Sequence, residues 1–166
     1  MAWYDHPRVA NLLGFAACAG LLAYALYAQH GLGLEPCPLC IFQRVAVLAL
    51  GILFLLAAAH GPAGVGRRIY GGLLALAAAA GAGVAGRHVW LQNLPPDQVP
   101  ACGPGLDFML QSFGLGEVLR MVLSGSGECA DVDWSLLGLS MPAWVLICFV
   151  LLGGYGLWVN WRRPAA

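Results

Sequence analysis

Six cysteines carry most of the chemistry open to this chain. Two of them form Cys37-Pro38-Leu39-Cys40, a Cys-x-x-Cys spacing used both by thiol–disulfide redox centres and by metal-binding loops. Zinc sites of this kind generally need a second close pair. Cys102 and Cys129 are far apart in sequence, so no metal ligands are assigned and redox work is the expectation. Cys37, Cys40, Cys102 and Cys129 fall between apolar runs, whereas Cys18 and Cys148 lie deep inside them, where cysteine serves as a small apolar filler. Four thiols facing a compartment where disulfides persist suggest two disulfides.

Three neighbours sharpen the redox reading. Cys40 sits at the start of an apolar run, where a helix N-terminus stabilises thiolate. Arg44 follows four residues later, one helical turn deeper on the same face. An arginine there is costly, about 2.5–3.5 kcal/mol at mid-membrane and less near the interface. It calls for an anionic partner, either the Cys40 thiolate or a reduced quinone oxygen. His88 ends another apolar run on the same side and can donate to a quinone carbonyl or move a proton. Arg87 and Gln43 read as an anchor and a helix-interface polar group. A bridge between Cys102 and Cys129 would be structural or exchangeable. The setting Pro100-Ala101-Cys102-Gly103-Pro104, rich in Pro and Gly and exposed, favours exchange.

What must position these groups is a membrane bundle. The 166 residues are 60% hydrophobic and 10% charged, with mean hydropathy +0.76; a soluble domain carries about 25% charged residues. Apolar stretches at 9–29, 41–60, 69–90 and 143–161 each approach the roughly 20 residues that cross a bilayer core. In lipid such segments are helical. The expected fold is therefore all-α: one integral membrane domain over 1–166, a bundle of four transmembrane helices. Apolar sequence continues past Cys18, so the first span is expected to be retained rather than cleaved as a signal.

Orientation follows from arginine alone, since lysine is absent. Arg8, Arg67, Arg68, Arg162 and Arg163 flank one side, while Glu35, Asp97, Asp107, Glu117, Glu128, Asp131 and Asp133 occupy the loops 30–40 and 91–142 on the other. The bias puts both termini in the cytoplasm and the redox loops outside. Within the long loop, 106–123 is amphipathic, with Leu106, Met109, Leu110 and Phe113 on one face and Leu115, Val118, Leu119 and Val122 on another. It predicts a short horizontal helix in the membrane surface, divided at Gly114 and Gly116. A net charge of zero and the lack of a basic cluster leave no case for nucleic acid.

Nearly the whole chain resembles the bacterial DsbB family of disulfide-bond formation proteins. The resemblance rests on the four spans, Cys37-Pro38-Leu39-Cys40 followed by Gln43-Arg44, Arg87-His88-Val89-Trp90 ending span 3, Cys102 and Cys129 around a horizontal helix, and Met141-Pro142 opening span 4. It implies a protein-dithiol:quinone oxidoreductase of the bacterial inner membrane that reoxidises periplasmic DsbA and passes the electrons to ubiquinone or menaquinone. It further implies that DsbA attacks Cys102, that freed Cys129 attacks Cys37, and that Cys40 is released facing the quinone, with Arg44 and His88 beside it. Two other readings compete. One is a vitamin K epoxide reductase-like enzyme, whose Cys-x-x-Cys lies near the last span instead of before the second; the other is a non-catalytic four-span scaffold with a stapled loop.

Overall fold

Four helices in the structure, a computed structural model, are long and apolar enough to cross a membrane: α1 (Pro7–Gly31), α2 (Pro38–His60), α3 (Val65–Gln92) and α6 (Met141–Trp161). The structure describes residues 7–101, 103, 105–132 and 134–162. Each helix overruns the apolar stretch that marks it in the sequence. Hydropathy reports the part that lipid must cover, whereas caps decide where the helix stops. At α2 the start moves back to Pro38, because proline at the first position has no N–H to satisfy and a pre-set φ. Cys37 becomes the N-cap, its sulfur accepting the Cys40 N–H at 3.4 Å. At the other end Gly61, at φ 55°, turns the chain out of α2 and donates its N–H to Ala57 O.

Water cannot drive helices together inside a bilayer, so close packing of small residues does much of that work. The α3–α6 seam is built in this way. Phe149 of α6 lies over Gly81, Gly153 lies over Ala78, and Gly156 makes room for Leu74 and Phe54. Phe54, Leu50, Leu74, Phe149 and Cys18 form the centre of the bundle, which matches the filler role expected for Cys18. Outward-facing residues are also apolar: Leu13, Val45, Leu48, Ile52, Leu76, Val150 and Leu151 are exposed and meet lipid.

At one end of the bundle a polar clasp joins α1 to α6. Asn11 and Asn160 exchange amide hydrogen bonds, at 3.3 and 3.1 Å, and Tyr155 donates to Ala10 O at 2.8 Å. Buried Arg67 donates to the last carbonyls of α6, Val159 O, Asn160 O and Arg162 O. This end carries the α2–α3 turn with Arg8, Arg67, Arg68 and Arg162; the cysteine loops lie at the opposite end.

Between α3 and α6 the chain forms α4 (Leu106–Ser112) and α5 (Leu115–Ser124). The break falls at Phe113-Gly114, and Gly116 lies inside α5, so the division expected at two glycines occurs at one. Nor do the expected faces act as units. Met109, Val118 and Val122 are buried against Leu39, Leu91 and Cys129, while Leu110, Phe113, Leu115 and Leu119 stay exposed. One side of this segment thus packs on the spans and the other presents leucines outward. Gly125, at φ 86°, ends α5 where a side chain would strike Leu91. A two-residue hairpin, β1 (Ser135–Leu136) and β2 (Leu139–Ser140), turns at Leu137 and Gly138, both with positive φ, and leads into α6.

Gly81→Val should force Phe149 out of its seat. The expected cost is about 1–3 kcal/mol, read as a lower melting temperature of the detergent-solubilised protein. An unchanged melting temperature would mean that α3 and α6 do not meet at this point.

Candidate active site

The start of α2, the end of α3 and the turn after α5 converge at the cysteine end. Pro38 and the Cys37 cap fix the first turn of α2, so Cys37 and Cys40 lie on one side of it with their sulfurs 3.3 Å apart. His88, one turn before the end of α3, is 2% exposed and places Nε2 at 3.8 Å from Cys37 Sγ. Cys129 sits in a short 3-10 turn, Gly127–Cys129, held by the Ala130 N–H to Gly127 O bond and by the Cys129 N–H to Ser126 O bond. It is buried against Leu39 and Leu91. The sulfurs of Cys37 and Cys129 and a ring nitrogen of His88 all lie within 4.8 Å of one another.

Cys37 is therefore the common neighbour. On one side it faces Cys40, its partner in the motif; on the other it faces Cys129 from the long loop. The Cys37 sulfur beside Cys129 is the main reason the Cys129 thiol is held well above the ordinary thiol range, with burial adding to it. A thiol so placed stays protonated at neutral pH.

Gln43 is the helix-interface polar group expected from the sequence, and its partner is the site histidine. It is buried, and its Nε2 donates to His88 Nδ1 at 3.0 Å. With Nδ1 accepting, the neutral imidazole carries its proton on Nε2, the nitrogen that faces Cys37. The amide thus fixes both the ring and its tautomer toward sulfur. One helical turn separates Gln43 from Leu39 on α2, a spacing that places it toward α3, yet no local pattern distinguishes it from any other interface amide. Arg87, read as an anchor, has a second task. It donates to Leu123 O and Ser124 O at 3.0 and 2.7 Å, tying the end of α5 to α3, and its guanidinium lies 4.2 Å from the centre of the Trp90 ring.

A cavity of about 180 Å³ opens beside these groups. Cys37, Cys40, Gln43, Arg44 and His88 supply part of its polar wall, with Glu35, Glu128 and Asp131 also on it, and Leu21, Leu22, Val47 and Val145 part of its apolar wall. Arg44 uses two donors on α1, to Gln29 Oε1 at 2.5 Å and Ala25 O at 3.1 Å. A guanidinium has five, so this tether orients Arg44 without exhausting it. Cys148, expected to be filler, lies on the cavity wall and is only half-buried. Trp134 and Tyr24 also line the cavity, in edge contact with ring centroids 6.2 Å apart. An apolar slot with donors at one end is what a flat, apolar molecule with ring carbonyls requires.

Cys102, the fourth expected redox cysteine, lies outside the described residues. Its chain neighbours lie near the Cys129 turn: Ala101 O accepts the Gly127 N–H at 3.3 Å, and Gly103 lies against Ser126 and Met109.

The raised Cys129 thiol predicts a pH dependence. In the reduced protein, alkylation followed on the Cys129 peptide should have its midpoint above that of an ordinary thiol, about 8.5. In Cys37→Ser the midpoint should fall, because the largest cause is removed while burial remains. Identical midpoints in the two proteins would contradict the contact.

Residues 7–159 match the family model "Disulfide bond formation protein DsbB". Proteins named "Disulfide bond formation protein B" are similar along almost their whole length. That of Methylococcus capsulatus is 58% identical over 158 residues, covering 94% of this chain and 96% of the relative. That of Chromobacterium violaceum is 55% identical over 156 residues, 94% of each chain, and that of Xanthomonas axonopodis pv. citri is 54% identical over 156 residues, 93% and 91%. A match running from the first turn of α1 nearly to the end of α6, around a meeting of three sulfurs, leaves one assignment: the chain belongs to the DsbB family of disulfide bond formation proteins.

Proposed function

We propose that this chain reoxidises a periplasmic DsbA-like dithiol protein through Cys102 and Cys129, relays the electrons to Cys37 and Cys40, and delivers them to ubiquinone or menaquinone held beside Arg44 and His88. Family membership carries the reaction class, protein-dithiol:quinone oxidation at the bacterial inner membrane. The route through named residues is our reading. The observation that supports it most is the place of Cys37, 3.3 Å from one sulfur and within 4.8 Å of another on a different loop.

Each exchange is attack of a thiolate on a disulfide sulfur. The partner's thiolate attacks Cys102 and breaks the Cys102–Cys129 bond, leaving a mixed disulfide and the Cys129 thiolate. Cys129 attacks Cys37, forming Cys37–Cys129 and releasing Cys40 as the leaving thiolate. The partner's second thiol then resolves the mixed disulfide and departs oxidised. That step frees Cys102, which attacks Cys129 to regenerate the outer disulfide and releases Cys37. The net result is one disulfide made in the partner and two thiols, Cys37 and Cys40, left at the cavity.

Re-forming the Cys37–Cys40 disulfide gives up two electrons and two protons, and a quinone held there would supply the oxidising power by taking up both. Arg44 is placed to stabilise negative charge on the Cys40 side of the cavity, held by Gln29 and Ala25. His88 is oriented by Gln43 to point Nε2 toward Cys37 Sγ, where it can hand a proton between that sulfur and the cavity. The apolar wall of Leu21, Leu22, Val47 and Val145 excludes water from the exchange.

Cys40→Ser should abolish oxidation of a reduced dithiol partner by a soluble quinone, measured as loss of quinone absorbance. It should leave the mixed disulfide between the partner and Cys102 intact on a non-reducing gel. Normal quinone consumption in Cys40→Ser would refute the assignment of the cavity pair, and a wild-type protein showing neither reaction would be a scaffold.

A further inference from the structure

The end of the bundle opposite the cysteines holds a second cavity, of about 460 Å³, that plays no part in thiol chemistry. Its wall is drawn from Pro7 and Arg8 of α1, the turn from Gly61 to Gly64, Val65, Arg67 and Arg68 of α3, and the end of α6 with Arg162. Four arginines from three parts of the chain line it, and no acidic residue does so among the described residues. Their side chains are not equivalent. Arg67 is buried and spent on the carbonyls that end α6, which makes it part of the wall. Arg162 lies over the Trp158 ring at 4.1 Å. Arg8 and Arg68 are exposed, and among the described residues neither side chain makes a hydrogen bond or ion pair, Arg68 using only its carbonyl, which accepts from Trp161 Nε1. The Arg8 guanidinium rests against Gly61, in the space a side chain there would fill.

Concentrated positive charge in a concave site calls for an anion. A second feature indicates what the anion is attached to. Val65, on the cavity rim, begins an exposed apolar stripe down α3 that continues through Ile69, Leu73 and Leu76. These residues recur at intervals of three and four and so share one helical face. The stripe runs from the arginines toward the middle of the span. A free phosphate would use only the cavity; a molecule with a phosphate head and acyl chains would use both.

We propose that the Arg8–Arg68 cavity binds the phosphate headgroup of an anionic phospholipid of the inner leaflet, with its acyl chains laid along Val65, Ile69, Leu73 and Leu76. The proposal depends on the orientation given by the arginine bias and is independent of the quinone route. It adds a lipid-specific role to arginines otherwise explained as topology signals. Basic pockets between spans on the cytoplasmic side are suited to such headgroups.

The test is native mass spectrometry of the full chain, released from detergent after incubation with equimolar phosphatidylglycerol and phosphatidylcholine. The wild type should retain phosphatidylglycerol in preference by about tenfold, each arginine near an anionic surface contributing severalfold. Arg8→Gln combined with Arg68→Gln should remove most of that preference while quinone turnover stays normal, which also reports a folded protein. Arg120→Gln, which removes an exposed charge from α5 at the other end, should leave the preference intact. Equal retention of the two lipids by wild type would overturn the proposal, as would an unchanged preference in the double variant or an equal loss with Arg120→Gln. Displacement of the bound lipid by millimolar inorganic phosphate would overturn the lipid assignment in favour of a free phosphate site.

Discussion

Everything at the active end turns on the first residue outside α2. Cys37 caps that helix with its sulfur, and the cap fixes the sulfur in place before any chemistry begins. Proline at the next position secures the helix start. From that fixed point the remaining demands are geometric. The end of α3 brings His88, the turn after α5 brings Cys129, and the next turn of α2 brings Arg44 to the cavity. Structural cap and redox centre are the same atom.

The surrounding fold can be understood as support for that atom. Small residues let α3 lie close to α6, which holds the His88 end of α3 steady relative to the cavity wall contributed by Met141, Pro142 and Val145. Arg87 and Gly125 bind the end of α5 to α3, so the loop leading to Cys129 leaves from a fixed place. At the far end, Arg67 and the Asn11–Asn160 pair close the bundle with polar contacts that are all satisfied. A buried polar group in lipid would be expensive without a partner. Polar contacts thus close the bundle at both ends, while small-residue packing joins the spans between them.

The spans were legible because lipid imposes one unmistakable composition over some twenty residues. Their ends were less so, since Pro38 and Gly61 act through backbone geometry that hydropathy does not register. The Cys-x-x-Cys motif, and the nearness of Arg44 and His88 to it, followed from helical spacing and from span ends lying on one side of the bilayer. The Gln43–His88 bond did not, because it depends on how α2 is rotated against α3, and many rotations suit the same apolar pattern. For the same reason Cys148 was read as filler although it reaches the cavity wall. The hairpin before α6 escaped notice too: its turn uses Leu137 at positive φ, where a sequence would lead one to expect asparagine or glycine. In α4 and α5 the amphipathic pattern was real, but two surfaces compete for the leucines, and the pattern alone cannot divide them.

The central claim is that one sulfur at the head of α2 serves two partners, Cys40 in the first turn of that helix and Cys129 in the long loop. It can be examined by leaving that sulfur a single choice. In a protein carrying Cys40→Ser and Cys102→Ser, mild oxidation in intact membranes followed by a non-reducing peptide map should find Cys37 joined to Cys129. Recovery of both as free thiols, or of Cys129 joined only to another molecule, would contradict the account.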